Sequence, residues 1–209
     1  MSWPKAVRTP FAALACAALT GGMLGYGEPP PMPQPESPVE AAIEVPVLPI
    51  VVPAPTAAER ERTAVSAILA KRFRVAEDAV ARFVVAAYSA GVQTKVDPLL
   101  LLAVISVESR FNPLAEGAFG ATGLMQIIPK FHMEKLKVFG GKEALRVPEV
   151  NILVGAQILR EYMRRFGSIE DALQAYSGAF GAPTSEYAAK VLSEKTRLEQ
   201  FVARRGRPA

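Results

Sequence analysis

Residues 97–108 read Asp97-Pro98-Leu99-Leu100-Leu101-Leu102-Ala103-Val104-Ile105-Ser106-Val107-Glu108. Asp97 supplies an N-cap, and Pro98 suits the first helical position, where its missing amide is no loss. Apolar residues then cover every face, which marks a helix enclosed by others rather than one lying on a surface. The run ends on a carboxylate. There the helix dipole and a low-dielectric wall of Leu, Val and Ile both disfavour the charged form. A raised pKa is what a general acid needs near neutral pH. Taken alone, the same position also suits a glutamate that points to solvent or pairs with Arg110.

Working outward, the flanking segments are helical as well. Thr56-Ala57-Ala58-Glu59 is a capping box and predicts a helix to about Lys71. Apolar residues at helical spacing (Val80, Phe83, Val84, Ala87) predict a second from about Val75 to Ala90, stopping at Gly91. Beyond the central helix lies a Gly-rich stretch, Asn112 to Pro129, with Gly117, Gly120 and Gly123 spaced by three. Further helices are expected from about Pro148 to Phe166, Ile169 to Tyr176 and Ser185 to Phe201. No period-2 alternation is present in this part, so the expected fold class is all-α.

The N-terminal quarter is of another kind. Lys5 and Arg8 precede an apolar run from Phe11 to Leu24 and small residues to Gly27, the pattern of an export signal or an uncleaved membrane anchor. The run is short for a spanning helix, which needs about 20 apolar residues. Ten of the 18 prolines then fall between Pro29 and Pro55, predicting an extended tether. The expected organisation is a signal or anchor at 1–27, a Pro-rich linker at 28–55, a catalytic domain at 56–203 and a flexible tail at 204–209.

Composition excludes several chemistries. One cysteine, Cys16, and one histidine, His132, leave no His/Cys cluster for a metal and force any Ser/His/Asp triad through a single imidazole. Neither metal nor cofactor is expected. No phosphate-cradling glycine motif opens a helix. The formal charge of +4 is spread along helices rather than gathered in a stripe, so nucleic acid is not an expected partner. A modest positive charge suits a polymer carrying carboxylates.

Glu108-Ser109-Arg110-Phe111-Asn112-Pro113 and Gly120-Ala121-Thr122-Gly123-Leu124-Met125-Gln126-Ile127-Ile128-Pro129 resemble the ES-x-FNP and GA-x-GLMQ-x-x-P signatures of lytic transglycosylases of the SLT type, relatives of goose-type lysozyme. Asn151-Ile152, Gly155-Ala156-Gln157-Ile158-Leu159, Arg165-Phe166-Gly167 and Ala172-Leu173-Gln174-Ala175-Tyr176 continue the resemblance in order, so that it covers about residues 96–192. It implies a lysozyme-like helical domain acting on peptidoglycan glycan strands in the periplasm. The N-terminal apolar run and the Pro-rich segment add an inner-membrane tether and an envelope-spanning complex as further expected partners.

The implied reaction uses one carboxylic acid, Glu108. The acid protonates the oxygen between N-acetylmuramic acid and N-acetylglucosamine, then acts as base on the sugar's 6-hydroxyl, which closes onto C1 as a 1,6-anhydro end. Most glycosidases use two carboxylates, but a sugar substituent replaces the second in recognised exceptions. Only Glu116 lies nearby in sequence. The resemblance assigns substrate contacts to Ser109, Gly123, Met125 and Gln126, and it aims the Tyr176 hydroxyl at the acid. Structural roles stand beside these: Met125 as core filler, Gln126 as a loop bond, Ser109 as a backbone cap, Tyr176 as plain core. His132 is either a groove residue or a surface histidine.

Two positions depart from the family pattern. Gly117 stands where many relatives have a serine, and Ser177 replaces the asparagine of A-Y-N-A-G. They keep a non-catalytic glycan-binding module open as an alternative; a hydrolytic muramidase is the other.

Overall fold

The structure, a computed structural model, describes residues 54–179, 181 and 186–205. The expected signal or anchor and nearly all of the Pro-rich linker lie outside the described residues, as do 206–209. Seven α-helices are present among the described residues: α1 (Ala57–Phe73), α2 (Glu77–Thr94), α3 (Pro98–Glu108), α4 (Met133–Leu136), α5 (Pro148–Phe166), α6 (Ile169–Tyr176) and α7 (Glu186–Arg205). There is no named strand among them, only two isolated bridges, Glu116 to Thr122 and Thr122 to Ile127. The all-α expectation holds. No described helix is long and apolar enough to cross a membrane.

The capping box at the start of α1 is complete: Thr56 accepts from the Glu59 amide, and the Glu59 carboxylate accepts from the Thr56 amide. Helix α3 starts as its sequence dictates, with the Asp97 carboxylate accepting from Leu99 N at 2.9 Å. Every residue from Leu100 to Ser106 is buried, because α2 packs on one side of α3 and α7 on another. Each enclosed leucine contributes about 2 kcal/mol of burial.

Helix α2 does not stop at Gly91 but runs three residues further and ends at Lys95 in the left-handed conformation. Gly91 has a packing role instead. A Cβ there would lie 2.8 Å from Val96 O and 2.9 Å from Pro98 Cγ, so a bare backbone lets the chain entering α3 fold back closely. The sequence also hid α4 and the 3-10 turns at Lys137–Phe139 and Lys142–Arg146, whose short apolar spacing lacks a full helical period.

Helix α7 is held at two points. Buried Glu194 pairs with Arg72 of α1 and, at 2.7 Å, with Arg197. Lys195 reaches Asp97, the cap of α3, at 3.0 Å. The second contact ties the start of α3 to α7, and α7 runs alongside α3 to its acidic end.

Candidate active site

Helix α3 ends abruptly after Glu108. The Ser109 and Arg110 amides both donate to Ile105 O, and Arg110 and Phe111 follow at φ 55° and 65°. Two successive left-handed side-chain residues cost about 1–2 kcal/mol each. Phe111 offsets this by burying its ring completely, with its centroid 5.2 Å from that of Phe73. The reversal leaves Glu108 on the last helical turn with its carboxylate largely withdrawn from water.

Burial pushes the Glu108 pKa above the ordinary carboxylate value, and a hydrogen bond from Tyr187 opposes part of the rise. The Tyr187 hydroxyl donates to Glu108 Oε1 at 2.5 Å. Burial and the Glu108 charge in turn hold Tyr187 far above the usual phenol range, so it stays a donor at any working pH. Glu116, the acid nearest in sequence, is exposed and pairs with Arg146 at 3.1 Å.

Tyr176 is partly buried against the core and feels the Glu108 charge, but its hydroxyl donates to Met125 O at 2.8 Å. The bond expected on the acid is therefore made by Tyr187, and Tyr176 instead fixes the loop beside it. Tyr187 was not singled out by its motif. The signal was its place on the buried stripe of α7: Tyr187, Val191, Glu194 and Leu198 recur at helical spacing, and a tyrosine on such a stripe needs a polar partner.

The loop between α3 and α4 is organised by Asn151, fully buried on α5. Its Oδ1 accepts from Met125 N at 2.8 Å, and its Nδ2 donates to Thr122 O and Leu145 O at 2.9 and 3.0 Å. Three of the expected contact residues serve this arrangement. Gly123 sits at φ 77°, and a Cβ there would strike the Asn151 amide, so its bareness admits Asn151. Met125 is 0% exposed and lays its sulfur against Gly155, a core position that does not fit a thioether on a sugar face. Gln126 turns inward, donating to Ala115 O at 3.0 Å and Gly123 O at 2.9 Å.

Ser109 is buried and bonds back to Ile105 O at 3.2 Å rather than facing outward. Gly117 abuts the Gln126 amide oxygen, so a serine there requires that amide to shift. Ser177 is exposed and bonds back to Gln174 O.

Beside this loop runs an open groove of about 260 Å³, lined by Gln126, Phe131, His132, Tyr162, Tyr176 and Ser177 among others. His132 therefore lies in the groove wall, and burial lowers its pKa, favouring the neutral imidazole. No group of three His, Cys, Asp or Glu among the described residues is placed to hold a metal.

A helical domain with a desolvated acid at the end of its central helix, and a groove beside the following loop, has the lysozyme-like architecture. The chain belongs to the Transglycosylase SLT domain family, which matches residues 86–196. It is 38% identical over 109 residues to the Transglycosylase of Enterobacteria phage PRD1, covering 50% of this chain and 39% of the phage protein. Invasion protein IagB of Salmonella typhi is 35% identical over 114 residues, covering 50% of this chain and 71% of its own length. The chain thus spans about two fifths of the phage relative and most of IagB. Among solved structures, an inactive mutant of the lytic transglycosylase Slt from Pseudomonas aeruginosa superposes with a TM-score of 0.50 at 23% identity, over 57% of this chain and 24% of that one. That likeness concerns the fold.

Proposed function

We propose that this protein is a peptidoglycan lytic transglycosylase with Glu108 as its sole acid and base. The observation that carries the reading is the desolvated Glu108 carboxyl at the end of α3, bonded by Tyr187. Family membership and the printed name of the phage relative support it.

In this reading Tyr187 occupies Oε1, which leaves Oε2 to carry the proton. Glu108 gives that proton to the glycosidic oxygen as the bond to C1 breaks. The resulting carboxylate then takes the proton of the muramic 6-hydroxyl, whose oxygen bonds to C1. Glu108 is reprotonated, and no water is consumed. A two-carboxylate enzyme would hold a second acid about 5–9.5 Å from the first; the ion-paired, exposed Glu116 is poorly suited to that role. Export to the periplasm by residues 1–27 belongs to the same proposal, as does a Pro-rich tether that lets the domain reach the wall from an inner-membrane or envelope-spanning assembly.

A second reading, a glycan-binding module without turnover, is favoured by the inward bonding of Gln126, which occupies an amide expected to meet substrate. The test is purified sacculi with wild type and Glu108→Gln. Release of soluble muropeptides by wild type alone, with binding retained by the variant, supports the enzyme. Binding by both without release supports the module.

A further inference from the structure

Phe119 is 80% exposed and Phe131 61% exposed, an arrangement that core packing does not explain. Between them stands Lys130, its Nζ 5.6 Å from the Phe119 ring centroid and 4.7 Å from that of Phe131. Phe119 also holds φ 56°, ψ 20°, a left-handed conformation that costs a bulky residue about 1–2 kcal/mol. A strained ring left in water points to a ligand that covers it. Phe131 lines the groove described above, and through Lys130 it joins the groove to the exposed Phe119 ring.

The charge of Lys130 is equally uncommitted. Among the described residues it forms no ion pair, while Glu134 and Glu161 are both engaged by Lys135 at 3.1 and 2.7 Å. Two rings in contact with its ammonium hold it in place without neutralising it. A ligand for this cluster therefore needs an apolar face for the rings and a carboxylate for the ammonium.

We propose that Phe119, Lys130 and Phe131 form a subsite for a peptide-bearing sugar of the glycan strand, the rings covering a sugar face and Lys130 taking a stem-peptide carboxylate. This rests on the peptidoglycan reading above. The subsite makes the protein select strands that still carry their peptides.

The experiment uses the full chain and three soluble strand preparations: native, with carboxylates amidated, and with stem peptides removed, which leaves only the lactyl carboxylate. KM is measured for wild type, Lys130→Gln and Phe119→Gly, the last removing the ring while relieving the backbone. Lys130→Gln is expected to raise KM about fivefold on native strands, the scale of one exposed ion pair, leave kcat unchanged, and have no effect on amidated ones. Phe119→Gly should raise KM on all three. Equal effects of Lys130→Gln on native and amidated strands overturn the proposal, and so does a preference fully retained on peptide-free strands.

Binding by Glu108→Gln, with and without Lys130→Gln, separates this subsite from the catalytic reading. Carboxylate-dependent binding lost with Lys130, where the wild type itself cleaves no strand, upholds the subsite and overturns the enzyme. Equal binding of all strands overturns the subsite whatever the turnover.

Discussion

The Tyr187 hydroxyl and the Glu108 carboxylate meet at 2.5 Å across 79 residues of sequence. One end of this pair is fixed by the end of α3 and the other by the first turn of α7. The lone acid is therefore oriented by a different helix from the one that carries it.

Tyr187→Phe removes a donor that favours the ionised acid, so the Glu108 pKa rises further. The alkaline limb of the pH-rate profile should move to higher pH, with kcat lower by about tenfold from lost positioning. Tyr176→Phe, which gives up only a bond to Met125 O, should cost about 1 kcal/mol of stability and leave that limb in place. Parallel pH profiles of the two variants check this.

Glu108→Gln should stabilise the fold above mildly acidic pH. A carboxyl whose folded pKa is raised is compatible with the fold while neutral, and its contribution is lost as pH rises through the raised value. The gain at neutral pH is expected to be about 1 kcal/mol, roughly 3 °C in Tm, shrinking toward nothing near pH 4. Thermal unfolding at several pH values measures it, and a constant difference would contradict the burial argument.

Asn151→Ala leaves Met125 N and Leu145 O without their partner in a buried site, while Thr122 O keeps the Ile127 amide. Denaturant unfolding should show a loss of about 3 kcal/mol. Hydrogen exchange should quicken first at Met125 N, the amide that Asn151 accepts from.

Gly120→Ala and Gly123→Ala share a left-handed backbone, at φ 79° and 77°. Only Gly123 faces an obstruction, since a Cβ there would strike Asn151 and lie 2.9 Å from Leu145 O, whereas Gly120 has open space. Gly120→Ala should cost about 1 kcal/mol, and Gly123→Ala clearly more, with the loop displaced.

The helices were legible because their signals are local: the Thr56 box, the Asp97-Pro98 start and the bounds of α5 and α6 are all written within a few residues. Glu108 was legible for the same reason, as a carboxylate closing an apolar run. Tyr187 was not, because its partner lies on another helix and only tertiary packing brings them together. Met125, Gln126 and Gly123 carry family motifs whose spacing does not tell a groove contact from a loop staple. Asn151 draws the loop backbone inward at Met125 and Thr122, whereas Gln126 bonds within the loop and still lines the groove.

The claim that one carboxylic acid does all the work is tested most directly by mass analysis of the muropeptides the protein releases from purified sacculi. The account predicts 1,6-anhydromuramic ends from wild type and no release by Glu108→Gln. Reducing ends, each heavier by one water, would contradict it.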